Sequence, residues 1–309
     1  SITILRDGKL AATREKEQTS VVELAELMIG RKGESMVQAA PRTPPQDRVA
    51  MSIRDLHVDM PGEEVRGVSL DVYEGEILGI GGLAGQGKLG IPNGVMSLYD
   101  TRGSVTLFGE ELKLGNAGDA LRAGIAMVSE DRKGVGLLLD QSIEDNIVFN
   151  AMQIKGEYLH RLGLFTLKNS SAVRKTAERM IHDLDIRCFG PMQHTGTLSG
   201  GNQQKVCIAR ALVMGPRFLF VSEPTRGIDI GAKKLVLETL VRLNREQGMT
   251  IVIVSSELQE LKSISDRIAI ISEGRLVDIL SPDASDADFG LAMSGIKPDD
   301  QLEKGDGAQ

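Results

Sequence analysis

Short, uninterrupted apolar runs recur along the chain, separated by longer stretches of helical pattern. The runs lie at 77–80, 125–128, 218–221 and 251–254. Runs of this length without alternation are typical of strands buried on both faces, as in a parallel sheet. Helical patterns lie at 172–184, 203–214 and 232–247. This order of strand and helix predicts an α/β domain built in layers. Residues 68–72 instead alternate apolar and polar side chains, as a half-buried strand does.

The first residues of the chain echo a segment near its end. Residues 2–10 and 268–276 each read as two strands that turn at an acidic residue followed by glycine, which is a strong hairpin signal. Each copy is followed by a short amphipathic helical pattern that ends in Met-x-Gly. Repeats at this separation indicate duplicated modules, and chance similarity of two hairpins is the alternative. We interpret residues 1–32 as the end of a preceding module.

Composition divides the rest of the chain into three parts. Residues 33–48 contain three prolines and no apolar period, which is typical of a linker. Strand and helix patterns run through 49–296, so we expect this range to form the main domain. Residues 297–309 have little apolar content and are predicted to form a flexible tail.

Charge and composition exclude several classes of function. The net charge is −7 at pH 7, whereas proteins that bind nucleic acid broadly need a basic face. Trp is absent and aromatic residues make up 3%, which leaves little for base stacking. No apolar run approaches the roughly 18 residues that a membrane span needs. Two cysteines favour a reducing compartment, and the four scattered histidines predict no metal cluster.

The first candidate for chemistry is a glycine-rich loop after the apolar run at 77–80. Residues 82–88 follow the pattern G-x-x-x-x-G-K, in which backbone N–H groups approach phosphates and the lysine reaches the terminal ones. The candidate ligands are Gly82, Gly85, Gly87 and Lys88. The next position, Leu89, lacks the hydroxyl that holds Mg²⁺ in this motif. Pro92 falls in the helix that should follow, so we expect that helix to be kinked, short or delayed. A glycine-rich turn without a ligand is the alternative.

A second motif, at 198–205, reads Leu-Ser-Gly-Gly-Asn-Gln-Gln-Lys. A hydroxyl and two glycines precede a helix predicted to begin near Asn202, and this arrangement presents bare N–H groups as an anion site. The candidate ligands are Ser199, Gly200, Gly201 and Gln203. A helix cap with a glycine turn and no ligand is the alternative.

A third motif places a carboxylate, Glu223, just after the apolar run at 218–221. At the carboxyl end of a sheet strand, this residue lies where ligands bind in open α/β folds. It could polarise water for attack on a γ-phosphate. An aspartate that helps to hold Mg²⁺ usually precedes such a glutamate, and Ser222 replaces it here. A solvated acid at a strand end is the alternative.

In this order, the three motifs resemble the nucleotide-binding domain of an ATP-binding-cassette (ABC) transporter. Residues 198–205 resemble the family signature LSGGQ in the variant LSGGNQQK. Together with 223–229 and 129–133, that variant is similar to the second cassette of bacterial ribose/galactose/xylose-type importers. The resemblance covers 49–296, and it implies that residues 1–32 are the C-terminal remnant of a preceding cassette.

The same resemblance implies a fold and further site residues. The fold would be an α/β P-loop NTPase (RecA-like) cassette, with a helical subdomain at about 142–214 and an antiparallel β subdomain. Glu223 matches the catalytic glutamate, and Asp229 matches an aspartate in the loop that crosses to the partner cassette. Glu130 stands where most cassettes carry a glutamine that senses Mg²⁺ and the permease. Ser256 stands where most carry a histidine, and serine cannot reproduce the contact of that ring to γ-phosphate.

Other departures from the family weaken the cassette's own phosphate loop. Leu89 and Ser222 remove both usual Mg²⁺ anchors, and Val58 or Met60 stands where an aromatic residue should stack on adenine. Phosphoryl transfer is catalysed mainly by positioning and by charge. We therefore expect this loop to bind ATP weakly or without turnover, with Mg²⁺ weak or absent and no protein metal ligand assigned.

The signature loop implies a different role. In the family, two cassettes pack head to tail, and each signature caps the nucleotide on the other's phosphate loop. We therefore expect a sugar-importer ATPase that couples ATP binding and hydrolysis to uptake and is peripheral on the cytoplasmic face of the membrane. Its partners would be the first cassette of the same tandem chain, a transmembrane permease and, indirectly, a solute-binding protein, with no nucleic acid.

Alternative functions remain open at this point. One is a non-catalytic cassette that only dimerises with a partner and caps its site. A second is an importer for nucleosides or autoinducer-type sugars. A third, a soluble tandem cassette acting on ribosomes or DNA, is disfavoured by the charge of −7.

Overall fold

The computed structural model describes residues 1–6, 9–16, 19, 47–162 and 165–297. The helix predicted to end at 28–30, most of the predicted linker and all but the first residue of the predicted tail lie outside these residues. Within the part of the chain described, no helix is both long and apolar enough to span a membrane.

Strands and helices alternate over most of these residues. In chain order the strands are β1 (Ile2–Arg6), β2 (Lys9–Arg14), β3 (Val49–Val58), β4 (Val65–Tyr73), β5 (Ile77–Gly81), β6 (Thr101–Leu107), β7 (Glu110–Glu111), β8 (Ile125–Val128), β9 (Leu159–Leu162), β10 (Phe165–Lys168), β11 (Phe218–Ser222), β12 (Thr250–Val254), β13 (Arg267–Ser272) and β14 (Arg275–Leu280). The helices are α1 (Gly90–Val95), α2 (Ala117–Arg122), α3 (Ile143–Asn150), α4 (Ser170–Asp183), α5 (Gly200–Leu212), α6 (Ile230–Gln247), α7 (Leu258–Ile264) and α8 (Asp286–Met293).

The predicted apolar strands form the central sheet of the molecule. Its spatial order is β14-β13-β5-β12-β11-β8. All neighbours are parallel except β14, which pairs antiparallel with β13. Because the carboxyl ends of parallel strands share one edge, the loops that follow β5, β8, β11 and β12 meet there. These loops carry the predicted phosphate loop, Glu130, Glu223 and Ser256.

A second, antiparallel sheet covers one face of the central sheet. Its strand order is β4-β3-β6-β7. Alternate residues of the central strands face opposite ways, so that Leu78 and Ile80 pack in the apolar cluster shared with this sheet, whereas Ile77 packs in the cluster shared with the helices. The α/β fold class with an antiparallel β part is therefore confirmed.

The three long helices predicted from the sequence correspond to α4, α5 and α6, and each begins two or three residues earlier than predicted. Polar caps explain the difference for two of them, since Asn169 and Asp229 accept hydrogen bonds from the backbone of the first turn. The helix after the phosphate loop, α1, has only six residues, as Pro92 predicts.

The stretch at 142–214 contains α3, α4 and α5, which share buried side chains such as Ile147, Val173 and Val206. It also contains an antiparallel hairpin, β9–β10. The helical pattern of the sequence did not predict this hairpin, because its strands are only four residues long.

Both echoing segments form hairpins, as predicted. In β1–β2 the register shifts between Ile4 and Leu5, and in β13–β14 it shifts between Ile270 and Ile271. These positions are equivalent in the repeat, so the likeness extends to backbone irregularity. The origin of residues 1–32 in a preceding cassette stays a prediction.

Candidate functional site

The glycine-rich loop lies between β5 and α1, at the carboxyl edge of the central sheet. Gly85 and Gly87 have φ angles of 74° and 95°, in the left-handed region that favours glycine. A Cβ atom on Gly87 would also lie 2.4 Å from the carbonyl oxygen of Glu64. The backbone of this loop therefore requires its glycines, and its N–H groups converge on one acceptor.

That acceptor is the carboxylate of Glu63, which the sequence analysis did not single out. The Gly85 N–H donates to Oε1 at 3.0 Å, and the N–H groups of Gly87 and Leu89 donate to Oε2 at 2.9 Å and 3.1 Å. Glu63 is 8% exposed. In a phosphate loop such N–H groups bind phosphate oxygens. The carboxylate oxygens of Glu63 thus stand where phosphate oxygens would bind.

The predicted phosphate-binding lysine, Lys88, is 1% exposed. Its Nζ donates to the carbonyl oxygen of Leu83 at 3.3 Å and lies 3.9 Å from Oε1 of Glu223. The structure therefore brings together the lysine of the first motif and the carboxylate of the third.

Glu223 follows β11 with a φ angle of 46°, which is uncommon for a residue other than glycine. Its N–H donates to the carbonyl oxygen of Val254 at 2.8 Å. The Ser256 hydroxyl donates to Oε1 of Glu223 at 2.5 Å. The carboxylate is thus held between Lys88 and Ser256, two of the residues that the sequence had grouped with it.

Glu130 lies at the same edge of the sheet. Val128 of β8 pairs with Val221 of β11. Glu130 comes two residues after Val128, and Glu223 comes two residues after Val221, so the two glutamates follow neighbouring strand ends. Glu130 is half-buried, and it accepts a hydrogen bond from the Ser129 hydroxyl at 3.2 Å.

The usual positions for Mg²⁺ ligands do not suit the ion. Leu89 has no oxygen in its side chain. Ser222 is 0% exposed, and its hydroxyl oxygen has no hydrogen-bond partner. Among the described residues, no group of three or more His, Cys, Asp or Glu side chains is arranged to hold a metal. We call the N–H groups of Gly85, Gly87 and Leu89 the cradle. Because Glu63 occupies this cradle, the residues around Lys88 do not fit a magnesium–nucleotide complex.

The signature loop presents an exposed serine at the start of α5. The Ser199 side chain does not cap its own helix. Instead its oxygen accepts a hydrogen bond from Nδ2 of Asn202 at 3.0 Å. Oδ1 of Asn202 accepts a hydrogen bond from the N–H of Arg187 at 2.9 Å. Asn202 therefore holds Ser199 in position, a role that was not predicted.

A cleft of about 450 Å³ opens beside this loop. Its walls include Ser199, Gly201 and Asp229, and none of its lining residues belongs to the phosphate loop. A Cβ atom on Gly201 would lie 2.6 Å from Cβ of Ala232, so glycine permits α5 and α6 to approach. Predicted ligands of the signature motif and Asp229 thus share one opening.

Gln203, a predicted nucleotide ligand, lies beneath the signature loop. Gln203 is buried, and its Nε2 donates to the carbonyl oxygen of Leu198 at 3.2 Å. Its side chain points back under the signature loop because α5 begins at Gly200 and turns this position inward. Gln203 therefore supports the loop and does not line the cleft.

Comparison with known proteins extends these findings. Residues 65–226, just over half of the chain, match the family model described as ABC transporter. "Ribose import ATP-binding protein RbsA 2" from Rhizobium meliloti (strain 1021) is 38% identical over 300 residues, which make up 96% of this chain and 56% of the relative. "Xylose import ATP-binding protein XylG" from Moorella thermoacetica (strain ATCC 39073 / JCM 9320) is 38% identical over 89% of this chain and 54% of the relative. The chain thus spans about half the length of these relatives.

Solved structures agree on the fold. The ADP conformation of MJ1267, an ATP-binding cassette of an ABC transporter, matches 85% of this chain and 100% of its own with a TM-score of 0.64 and 17% identity. A dimeric post-hydrolysis state of the ATP-binding cassette MJ0796, bound to ADP and Pi, matches 76% of this chain and 100% of its own with a TM-score of 0.62 and 21% identity. The central sheet, the phosphate-loop backbone and the family match lead to one conclusion: the chain belongs to the ABC transporter family.

Proposed function

We propose that this chain is an ATP-binding component of a sugar importer, and that it uses its signature loop to complete the nucleotide site of a second cassette. The observation that carries the proposal is a contrast between its two anion-binding loops. The N–H groups of its own phosphate loop are bonded to Glu63, whereas Ser199 is exposed at an open cleft.

The chemistry of the signature loop supports a capping role. Ser199, Gly200 and Gly201 lie at the N-terminus of α5, a helix of 13 residues. The aligned peptide dipoles and free donors of a helix N-terminus favour an anion. With the Ser199 oxygen accepting from Asn202, its hydroxyl hydrogen is free to donate to a phosphate oxygen. Glu223 of this chain should contribute less to ATP hydrolysis than the site of the partner cassette does, because the surroundings of Glu223 lack Mg²⁺ ligands.

A second cassette is the partner that such a loop requires. The cleft is lined by Asp229 and by the exposed side chain of Leu235, which give it both polar and apolar surface. We propose that the partner is the first cassette of a tandem polypeptide. The relatives named ribose and xylose import proteins support this, since they are long enough to contain a further cassette.

A groove of about 650 Å³ supports contact with a permease. It follows the Glu130 segment and is lined by Leu137, Leu138, Leu139, Phe149 and Met152, with Lys133, Asp140, Gln141 and Asp145 among them. A groove that combines apolar walls with charged side chains suits an amphipathic helix. We propose that a helix of a transmembrane permease binds there, which places this chain on the cytoplasmic face of the membrane.

The solute is proposed from the relatives alone. Their names specify ribose and xylose, so we propose a pentose or a similar sugar, delivered by a solute-binding protein. Nucleosides and autoinducer-type sugars remain alternatives, because the residues of an ATP-binding cassette do not contact the solute.

The test uses the chain assembled with its partner cassette and permease. Ser199→Glu places a carboxylate against the partner's nucleotide and should lower ATP turnover about 100-fold. Glu223→Gln, the matched change at this chain's own site, should lower it less than about threefold. The chain alone should hydrolyse magnesium-ATP more slowly than about 1 s⁻¹. The opposite pattern, with Glu223 essential and Ser199 dispensable, would refute the proposal.

A non-catalytic capping module is the second candidate. The filled phosphate cradle, Leu89 and the unpartnered hydroxyl of Ser222 favour it. The first candidate leaves weak nucleotide binding at this chain's own loop, whereas the second leaves none. Titration of the chain with a fluorescent ATP analogue distinguishes them, because saturable binding that Lys88→Ala abolishes would argue for retained nucleotide binding.

A further inference from the structure

The turn that joins β3 to β4 carries Glu63 into the phosphate loop. The Glu63 N–H donates to the carbonyl oxygen of Met60 at 3.0 Å, and this hydrogen bond closes the turn. The next residue, Glu64, points the other way, where it is exposed and pairs with Arg66 at 2.7 Å. Two adjacent glutamates therefore have opposite surroundings, and only Glu63 reaches the loop.

The bonds that Glu63 accepts are of a strong kind. Hydrogen bonds from N–H groups to a carboxylate are charge-assisted and stronger than bonds between neutral groups. Three of them, from Gly85, Gly87 and Leu89, converge on this one side chain. A buried carboxylate without such donors would be strongly unfavourable. Glu63 and the phosphate loop therefore stabilise each other.

Backbone packing on both sides supports this contact. A Cβ atom on Gly90 would lie 2.2 Å from the carbonyl oxygen of Glu63, so a glycine at this position lets the turn approach α1. On the other side, the Gly274 N–H donates to the carbonyl oxygen of Gln86, and the Arg66 N–H donates to the carbonyl oxygen of Gly274, both at 2.8 Å. The backbone position of Glu63 thus follows from the packing of the main chain.

The same N–H groups cannot bind Glu63 and a triphosphate together. A phosphate oxygen would need the donors that the carboxylate occupies. ATP would also bring several negative charges beside a buried carboxylate, where repulsion is poorly screened. Nucleotide can enter only if the Glu63 carboxylate leaves these donors and is rehydrated.

We propose that Glu63 is the specificity-determining residue of this phosphate loop: its carboxylate fills the cradle and excludes polyphosphates such as the tail of ATP. This rests on the proposed function, since it gives the reason why turnover depends on the partner's loop. This exclusion by Glu63 is distinct from the loss of Mg²⁺ ligands. Leu89 and Ser222 weaken metal binding, whereas Glu63 blocks the phosphates themselves, with or without metal.

The experiment compares the 309-residue chain with its Glu63→Ala and Glu63→Gln variants. Glu64→Gln is the matched control, because it removes the same charge one residue away. Tripolyphosphate is the probe, titrated calorimetrically in EDTA so that neither adenine nor metal contributes. Glu63→Ala should bind it about tenfold or more tightly than the wild-type chain, because three charge-assisted bonds no longer compete. Glu63→Gln should show a smaller gain, and Glu64→Gln none.

A second measurement covers the case in which Glu63→Ala fails to fold. The amide ¹H–¹⁵N signals of Gly85, Gly87 and Leu89 should move in Glu63→Gln and stay in place in Glu64→Gln. Unchanged amide signals in Glu63→Gln would overturn the proposal. So would wild-type binding as tight as that of Glu63→Ala, or an equal gain in Glu64→Gln.

The outcome also separates this proposal from the capping role. A gain in Glu63→Ala with no effect of Ser199→Glu on the assembled transporter would uphold the exclusion by Glu63 and refute capping. No gain in a folded Glu63→Ala variant, with Ser199→Glu still damaging, would refute the exclusion alone.

Discussion

The Ser256 hydroxyl donates a hydrogen bond to Oε1 of Glu223 at 2.5 Å, although the two residues are 33 positions apart. They meet because β11 and β12 are parallel neighbours, with Ser222 opposite Val254. Lys88 approaches the same oxygen to 3.9 Å. The carboxylate that we predict to be the catalytic one is therefore engaged by groups of its own chain.

We predict that restoring a histidine at position 256 does not activate this site. Ser256→His removes the bond to Glu223 and supplies a ring donor, but the cradle stays filled and Mg²⁺ still lacks ligands. ATP hydrolysis by the variant should stay below about 1 s⁻¹. Ser256→Ala should lower the free energy of unfolding by about 0.5 kcal/mol, measured in urea, because the lost hydrogen bond is partly solvated. The control is Ser104→Ala, at an exposed serine on β6. Faster hydrolysis by Ser256→His would contradict the prediction.

The missing Mg²⁺ ligands and the Glu63 carboxylate in the cradle should have coupled effects on ATP binding. Leu89→Ser with Ser222→Asp restores the hydroxyl and the carboxylate that the motif lacks. With Glu63 intact, this double variant should gain no magnesium-dependent ATP binding. Adding Glu63→Ala should produce it, so that the combined effect exceeds the sum by about 1 kcal/mol or more. ATP titrations with and without Mg²⁺ measure this coupling.

The buried position of Ser222 provides an internal check. An aspartate there is unpaired without metal and should lower the free energy of unfolding by about 1–3 kcal/mol. Mg²⁺ with nucleotide should recover part of that loss in the triple variant only. Magnesium-dependent ATP binding by the double variant while Glu63 is present would show that the two defects are independent.

Asn202 should matter for capping through its hold on Ser199. Asn202→Asp keeps the acceptor for the Arg187 N–H but loses the donor to Ser199, whereas Asn202→Ala loses both. Each should lower ATP turnover of the assembled transporter. Asn202→Ala leaves Ser199 unheld, and in Asn202→Asp the Ser199 hydroxyl would donate to the new carboxylate and not to the partner's phosphate. Unfolding in urea should separate them, with Asn202→Ala less stable by about 1 kcal/mol. Wild-type turnover in Asn202→Asp would exclude a positioning role.

A buried glutamate joins the loops that follow β11 and β12. Glu260 is 0% exposed, and it accepts hydrogen bonds from the hydroxyls of Thr225 at 2.5 Å and Ser255 at 2.9 Å. Glu260→Gln should lower the free energy of unfolding by about 2–4 kcal/mol, because an amide donor then meets hydroxyl donors and Lys233 loses one of its two carboxylate partners. Hydrogen exchange should quicken at 225–229 and 255–257. Glu238→Gln, at an exposed acid paired with Lys234, should cost less than about 0.5 kcal/mol.

The same cluster predicts a dependence on alkaline pH. Burial lowers the pKa of Lys233, but its bonds to Glu257 and Glu260 outweigh that effect, so the pKa is raised from 10.5. A raised folded-state pKa stabilises the protein fully below the unfolded value. The contribution should be lost as the pH rises through the folded-state pKa of Lys233. Lys233→Met should remove this alkaline limb from a plot of stability against pH, and an unchanged limb would assign it to another group.

Much of the architecture could be predicted from local pattern. Uninterrupted apolar runs predicted the parallel strands, and the acidic-Gly turns predicted both hairpins. The register shift that the two hairpins share was not predicted. Pro92 predicted the short α1. The hairpin β9–β10 was missed because strands of four residues carry too little periodicity to be distinguished from the helices around them.

The candidate site was predictable only in part. Lys88, Glu223 and Ser256 were grouped from motifs, and the structure brings them together. Glu63 was missed because it lies outside all three motifs. Asn202 lies inside the second motif, but the sequence marked it only as the start of a helix. A glutamate beside a Pro-Gly turn reads as a solvated acid in sequence, and nothing local distinguishes Glu63 from Glu64.

The sequence by itself determined the layered α/β fold, the order of the motifs and the absence of Mg²⁺ ligands at positions 89 and 222, because each depends on residue type and local spacing. Only the tertiary structure decided what fills the phosphate cradle. Glu63 bonds to N–H groups 22 to 26 positions away. Such a contact depends on how two sheets pack, and backbone donors accept any well-placed oxygen, whichever residue supplies it.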